Sequence, residues 1–339
     1  MQWLALDIGG ANLKVADGQQ YAAWLSFALW QKPRQLSDTL KGMLHAAPRA
    51  DQLAVTMTGE LADCFTTRSE GVQFILNAVA TAAEQRPVKI YSQRDGLIST
   101  KKALKQPLDV AAANWHALAS FAGRLAPAGF ALLIDMGSTT TDIIPLVAGR
   151  CETMGKNDVE RMIAGELVYA GVERTPVSSL VSTLPFRGDH VPVASELFAT
   201  TRDVYLTLGD LPPQPSDLGT ANGKPATKSY ARDRLAHLFC LDRDSFDDKD
   251  AAEAAEAVDR QLTGRVATAL AQVTGRFDET LETVIVSGHG EFFVRRLLER
   301  LRIRCRVVSL EQELGRSISR CAPAHALAVL AREIVNNGK

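Results

Sequence analysis

The chain has 339 residues, 46% of them hydrophobic and 23% charged, enough to bury the cores of two domains. Lys and Arg number 38 against 39 Asp and Glu, a formal charge of −1, and only 6% of residues are aromatic. That balance excludes a basic field for nucleic acid or an anionic membrane, and the sparse aromatics exclude a stacking platform for single strands.

Met1 leads straight into an apolar strand with no basic leader segment, and no apolar run reaches the length of a membrane span. A cytoplasmic location is expected. The five cysteines (Cys64, Cys151, Cys240, Cys305, Cys321) are scattered and lack a CxxC pair, which fits reduced thiols and neither a disulfide framework nor a zinc site.

Leu4 to Ala16 reads LALDIGGANLKVA: an apolar run, an Asp, a small-residue turn, a second apolar run. This predicts a strand, a tight turn and an antiparallel strand. Ala22 to Trp30 reads as a third strand, broken by Lys32-Pro33. Gln35 to Ala47 has helical spacing. Leu53 to Met57 reads as a buried strand ending in the turn Thr58-Gly59-Glu60. Glu60 and Asp63 then fall at the spacing of one helical turn. Either they complement a helix N-terminus, or they act in a site. Gly71 to Ala83 reads as a helix and Val88 to Tyr91 as a strand. Lys101, Lys102 and Lys105 form a solvated basic edge or a contact to an anionic substrate tail. Val110 to Leu125 is an Ala-rich helix carrying Asn114 and His116, which read as packing residues, and Pro127-Ala128-Gly129 is a crossing point between domains.

Leu132 to Ile144, LLIDMGSTTTDII, then repeats the first hairpin without a gap. Asp7 falls on Asp135, Gly9 on Gly137, Gly10 on Ser138 and Asn12 on Thr140. Arg150 to Met154 reads as a strand, Asp158 to Gly165 as a helix start, and Arg174-Thr175-Pro176 as a turn. Pro185 to Val193 reads as a loop, and Ser195 to Leu208 as a helix with Arg202 and Asp203 exposed. Gly209 to Lys228 is an ordered loop beside the site or a mobile lid. Tyr230 to Phe239 and Ala251 to Val273 read as helices. Thr283 to Ser287 is an apolar strand that passes through Gly288-His289-Gly290-Glu291 into a helix from Phe292. Such a junction presents amide N–H groups to an anion. Val307 to Leu310 is a further strand, and Ala322 to Val335 an amphipathic terminal helix. Two domains are expected: residues 1–126, completed by the terminal helix at 322–339 packing back on them, and residues 127–321.

Duplicated DxG hairpins of this kind resemble those of the actin, sugar-kinase and Hsp70 superfamily. The resemblance implies a two-domain α/β, ribonuclease H-like fold with an interdomain cleft, in which the two turns grip a polyphosphate and its metal from opposite sides. Gly9, Gly10 and Asn12 would supply donors from one wall, and Gly137, Ser138, Thr139 and Thr140 from the other. Gly288 and Gly290 would belong to the superfamily's third loop. Lys14 would neutralise a phosphate oxygen. Its counterpart in the second hairpin is Asp142, so one wall brings a cation and the other an extra carboxylate. Asp7, Asp135 and Asp142 are the candidates to hold Mg²⁺, directly or through waters.

The strings VTMTGELADCF, IDMGSTTTDIIP, ERTPV, FATTRDVYLTLG, TANGKPAT and YARDRLA narrow the resemblance to one family over nearly the whole chain. It is the hydantoinase/oxoprolinase-like family linked to tetrahydromethanopterin-dependent one-carbon transfer. Its archaeal members make a methanofuran precursor. The resemblance implies an Mg²⁺-dependent, ATP-independent transferase. It would join an aminomethylfuranmethanol diphosphate to the phenol oxygen of a tyramine or tyrosine derivative, releasing diphosphate. Glu60 is then the first candidate to take the phenolic proton and Asp63 the second, beside the charge of Lys14. The implied partners are these two small molecules, with no nucleic acid and no membrane; a homodimer is compatible with the sequence. The main alternative is an ATP-dependent small-molecule kinase or oxoprolinase-like hydrolase using the same loops. A non-catalytic, actin-like assembly protein is a further reading, and 339 residues leave little room for the insertions such proteins carry.

Overall fold

The computed structural model describes residues 2–337. Strand β1 (Trp3–Ile8) is buried at every position, as its unbroken apolar run dictates for a strand covered on both faces. β2 (Asn12–Ala16) returns antiparallel, and β3 (Ala22–Ser26) extends the meander. After α1 (Leu36–Ala46), β4 (Gln52–Met57) pairs parallel with the other side of β1. Then come α2 (Arg68–Ala83), β5 (Val88–Ser92), β6 (Gly96–Ser99), α3 (Thr100–Lys105) and α4 (Asn114–Ala122). The sheet order is β3-β2-β1-β4-β5-β6.

The second sheet repeats this opening. β7 (Phe130–Met136) and β8 (Thr141–Val147) form its hairpin, followed by β9 (Arg150–Cys151), α5 (Asp158–Ile163) and β10 (Leu167–Val168). A separate hairpin, β11 (Thr183–Phe186) with β12 (Asp189–Pro192), leads to the helices α6 (Thr201–Leu208), α7 (Lys228–His237) and α8 (Asp248–Thr274). β13 (Leu281–Ser287) then pairs parallel with β7, where β4 pairs with β1 in the first half. α9 (Glu291–Arg300), β14 (Arg306–Ser309), α10 (Leu310–Leu314), α11 (Arg316–Arg320) and α12 (Ala322–Asn337) close the chain. The order is β10-β8-β7-β13-β14, with β9 on β8. Two sheets that each open on a hairpin and extend in parallel make the two-domain, ribonuclease H-like architecture of the actin, sugar-kinase and Hsp70 superfamily.

The layer between the sheets is built from α4 and α12. Leu327, Ala328 and Ala331 of α12 join Ala117 of α4 against Trp3, Ala5 and Ala54 of the first sheet. Trp115, Leu118 and Ala122 of α4, with Ala322 and Ala326, cover Leu133, Ile144 and Ile285 of the second. Alanines here let helix and strand backbones approach closely. The same two helices thus serve both cores, so the lobes are coupled through apolar packing.

Several elements differ from the sequence expectation. Residues 185–192 lie in the β11–β12 hairpin, not a loop: Arg187 and Gly188 both take positive φ (50° and 97°), the twist a two-residue hairpin turn needs. The helix expected from Ser195 starts only at Thr201, behind a capping box of Thr200 and Asp203. Asp203 is not exposed but 1% accessible, paired at 2.6 Å with the fully buried Arg234; Arg202 is held by Asp217. The helix expected from Val110 begins at Asn114, because Ala112 adopts a left-handed φ of 47°.

Leu327→Ala should lower the urea midpoint without changing the slope, at a cost of about 2–5 kcal/mol for a fully buried leucine in this shared layer.

Candidate active site

The hairpin register decides which side chains meet. In the first hairpin Asp7 stands directly opposite Lys14, and in the second Asp135 stands opposite Asp142. Opposed residues of an antiparallel pair share a face, so the first hairpin makes an ion pair and the second a like-charge pair. Lys14 Nζ lies 3.3 Å from Asp7 Oδ2. Burial opposes the Lys14 charge, but Asp7 and then Asp135 outweigh it and hold its pKa above the ordinary lysine value. The ammonium of one lobe therefore feels carboxylates from both. Asp135 has its pKa pushed up to about 6, by burial first and by Asp142 next, against the opposing charge of Lys14.

Asp142 is answered from its own lobe. Arg161, 1% accessible, donates from Nη2 to Asp142 Oδ1 at 2.7 Å and to the Glu166 carbonyl at 3.0 Å, and its guanidinium lies 3.9 Å above the Trp115 ring. α5 positions this arginine, and Asn157 caps that helix by accepting from the Glu160 amide.

The cleft opens between the two turns. Asn12, Lys14 and Trp24 line it from the first lobe; Asp135, Gly137, Ser138, Gly288 and His289 line it from the second; Ser319, Arg320 and Pro323 close one end. Both turns are shut by the same internal bond: Gly9 N–H donates to Asn12 O at 3.0 Å, and Gly137 N–H to Thr140 O at 2.8 Å. A Cβ on Gly9 would sit 2.9 Å from Asn12 O, so the first turn requires glycine. Gly288 takes a φ of 87°, and a Cβ there would lie 2.4 Å from the Met136 carbonyl. Among the described residues, no protein acceptor meets the amides of Gly10, Ser138 or Thr139, which leaves them free to donate.

Residues 171–174 are laced to the second turn. Val172 N–H donates to Gly137 O, and Glu173 and Arg174 N–H both donate to Ser138 O. This carries Glu173 to the cleft, where His289 Nδ1 lies 3.2 Å from its Oε1. Two arginines stack on tryptophans at the rim: Arg320 lies 4.1 Å above Trp24, and Arg174 4.9 Å above Trp30. In each pair the tryptophan comes from the first lobe and the arginine from beyond it in the chain.

Residues 51–334 match the model of the hydantoinase/oxoprolinase family. The chain belongs to that family. It is 32% identical over 333 residues to the (4-{4-[2-(γ-L-glutamylamino)ethyl]phenoxymethyl}furan-2-yl)methanamine synthase of Methanocaldococcus jannaschii, covering 97% of each chain. It is 30% identical to the synthase of the same name from Methanococcus vannielii, over 60% of this chain and 92% of that one. Among solved structures, the activator of the 2-hydroxyisocaproyl-CoA dehydratase from Clostridium difficile with bound ADPNP is similar over 100% of this chain and 97% of its own, at 12% identity and a TM-score of 0.49.

Within this family member, the structure brings Lys14, Asp7, Asp135 and the two hairpin turns together with Gly288 at one cleft. It does not bring Glu60 or Asp63 there. Residues 60–67 form turns and not a helix; α2 starts at Arg68. Asp63 is exposed. Glu60 is 1% accessible and accepts from Arg68 Nη2 at 3.0 Å, while Arg68 also reaches Asp158 of the second lobe at 3.3 Å. Its position makes Glu60 part of an interlobe bridge. Asp142 is turned to Arg161, and no three His, Cys, Asp or Glu side chains converge as a metal cluster among the described residues. Gly9, Gly137 and Gly290 spend their amides inside the protein, the last on Met136 O at 2.8 Å, so their contribution is shape and not donation. Trp24, Glu173, Arg161 and Arg320 were not singled out from sequence; the ERTPV string carried Glu173 without indicating its partner.

Arg161→Met removes the charge that answers Asp142 and should cost about 3–5 kcal/mol in denaturant unfolding. Adding Asp142→Asn should recover part of that loss.

Proposed function

We propose that the protein is a biosynthetic transferase that joins an aminomethylfuranmethanol diphosphate to the phenol oxygen of a tyramine-type acceptor, releasing diphosphate. The observation that carries this reading is Lys14 flanked by Asp7 and Asp135 between two anion-ready turns. Support comes also from the archaeal synthases, whose name describes a furan methylene joined through oxygen to a phenyl ring.

The residues suit the chemistry. Breaking the bond from the furan methylene carbon to diphosphate sends an electron pair to a phosphate oxygen. The Lys14 ammonium and the amides of Gly10, Ser138 and Thr139 are donors for the charge that develops there. Asp7 Oδ1 is buried without a hydrogen-bond partner, and Asp135 shares the Lys14 site, a hard oxygen set suited to Mg²⁺. Asp7 and Asp135 would hold that ion, directly or through waters, and when bound it would offset phosphate charge. Trp24 offers an aromatic wall with Arg320 on it, matched to a ring bearing an anionic tail.

The test is incubation of the protein with the furan diphosphate, a tyramine or γ-glutamyltyramine acceptor and Mg²⁺, with mass detection of the ether and no nucleotide added. Ether and diphosphate should appear in equal amounts; turnover only with ATP would sink the reading. Lys14→Met should lower kcat/KM by about 10²–10³-fold, the loss typical of a single donor to developing charge. Trp24→Ala should raise KM for the acceptor several-fold and leave kcat nearly unchanged.

A further inference from the structure

An attacking phenol must lose its proton, and neither Glu60 nor Asp63 is among the residues that line the cleft. Glu60 is buried with Oε1 on Arg68, and Asp63 faces solvent. Asp7 is engaged by Lys14 on the phosphate side, and Asp135 adds its charge to the same ammonium. Lys14 itself is held protonated. We infer that His289, oriented by Glu173, is the group that accepts the phenolic proton, a role that rests on the ether-forming reading.

Three observations carry it. His289 lines the cleft beside Asp135 and Ser138, half-buried, in the turn between β13 and α9. Its Nδ1 is committed to Glu173 Oε1 at 3.2 Å, and among the described residues Nε2 has no protein partner. Both members of the pair are tied to the second hairpin: Gly290 N–H donates to Met136 O, and Glu173 N–H to Ser138 O. The imidazole is thus positioned relative to the turn that receives phosphate.

The tautomer follows from charge. Burial raises the Glu173 pKa, but the hydrogen bond and charge of His289, with Arg202 and Arg320, outweigh burial and hold the carboxyl below its ordinary value. An ionised carboxylate can only accept, so Nδ1 carries the hydrogen toward Glu173, and in the neutral form of the ring the lone pair lies on Nε2. In the step, the phenol O–H bond breaks and its proton passes to Nε2. The phenol oxygen forms the bond to the furan methylene carbon. The bond from that carbon to diphosphate breaks, and its electron pair leaves with diphosphate. The imidazolium then returns its proton to water. Glu173 is a positioning residue, and His289 is the catalytic one.

The test compares wild type, His289→Gln, His289→Ala and Glu173→Gln in ether formation, with diphosphate affinity measured by calorimetry to show that each variant folds and keeps the phosphate site. His289→Gln should lose about 10²–10⁴ in kcat, the range for a general base, with KM for the furan diphosphate unchanged. Added imidazole should restore part of the rate of His289→Ala and none of that of Lys14→Met. Glu173→Gln should lose less, and imidazole should not rescue it. If wild type forms ether and His289→Gln keeps its kcat within about threefold, the inference fails and the ether-forming reading stands. If wild type binds both substrates and forms no ether, that reading fails and the role of His289 goes with it. A His289→Gln that loses diphosphate binding is replaced by His289→Asn, judged by the same two outcomes.

Discussion

One ammonium joins the two halves of this molecule electrically. Lys14 sits on the first hairpin, paired with Asp7 across the strands, and its charge is sustained by Asp135 from the second hairpin. Desolvation of a half-buried lysine lowers its pKa. Here two carboxylates from opposite lobes reverse that tendency. The arrangement holds a cation at the bottom of a cleft whose turns present free amides, so an anion entering it meets charge and dipoles already aimed. Like charges brought together by the same geometry, Asp135 and Asp142, require a further cation, and Arg161 supplies it from α5.

What keeps the lobes in place to do this is apolar. α4 and α12 fill the space between the sheets with alanine, leucine and tryptophan, and they contact strands of both. Polar bridges add direction to that packing. Arg68 reaches from Glu60 to Asp158 across the lobes, and the stacked Arg–Trp pairs lie at the rim. A change in lobe spacing would alter how Asp7 and Asp135 share Lys14, so the packing layer and the site are linked through one distance.

Much of this was legible in the chain. The two hairpins align without a gap because equal turn lengths impose equal registers, and that register alone sets Asp7 against Lys14 and Asp135 against Asp142. The fold follows from the same duplication plus the apolar strands β4 and β13. The partners that neutralise buried charge were not legible, since nothing local announces them. Arg161 meets Asp142 from 19 residues away, Arg234 meets Asp203 from 31, and His289 meets Glu173 from 116. Glu60 follows a parallel strand, where ligands gather in open α/β sheets, and nothing local announces Arg68, eight residues on, as its partner. The β11–β12 hairpin escaped notice because its strands are four residues each and carry prolines, leaving too short an alternation to read.

The proposed reaction requires both hairpins to grip one anion through Lys14. Isothermal titration of the intact protein with magnesium diphosphate measures this most directly. One site per chain is expected, with affinity lost alike in Lys14→Met, Asp7→Asn and Asp135→Asn, since each variant removes one member of a single charge cluster. Binding that survives Lys14→Met, or that depends on one hairpin and ignores the other, would contradict it.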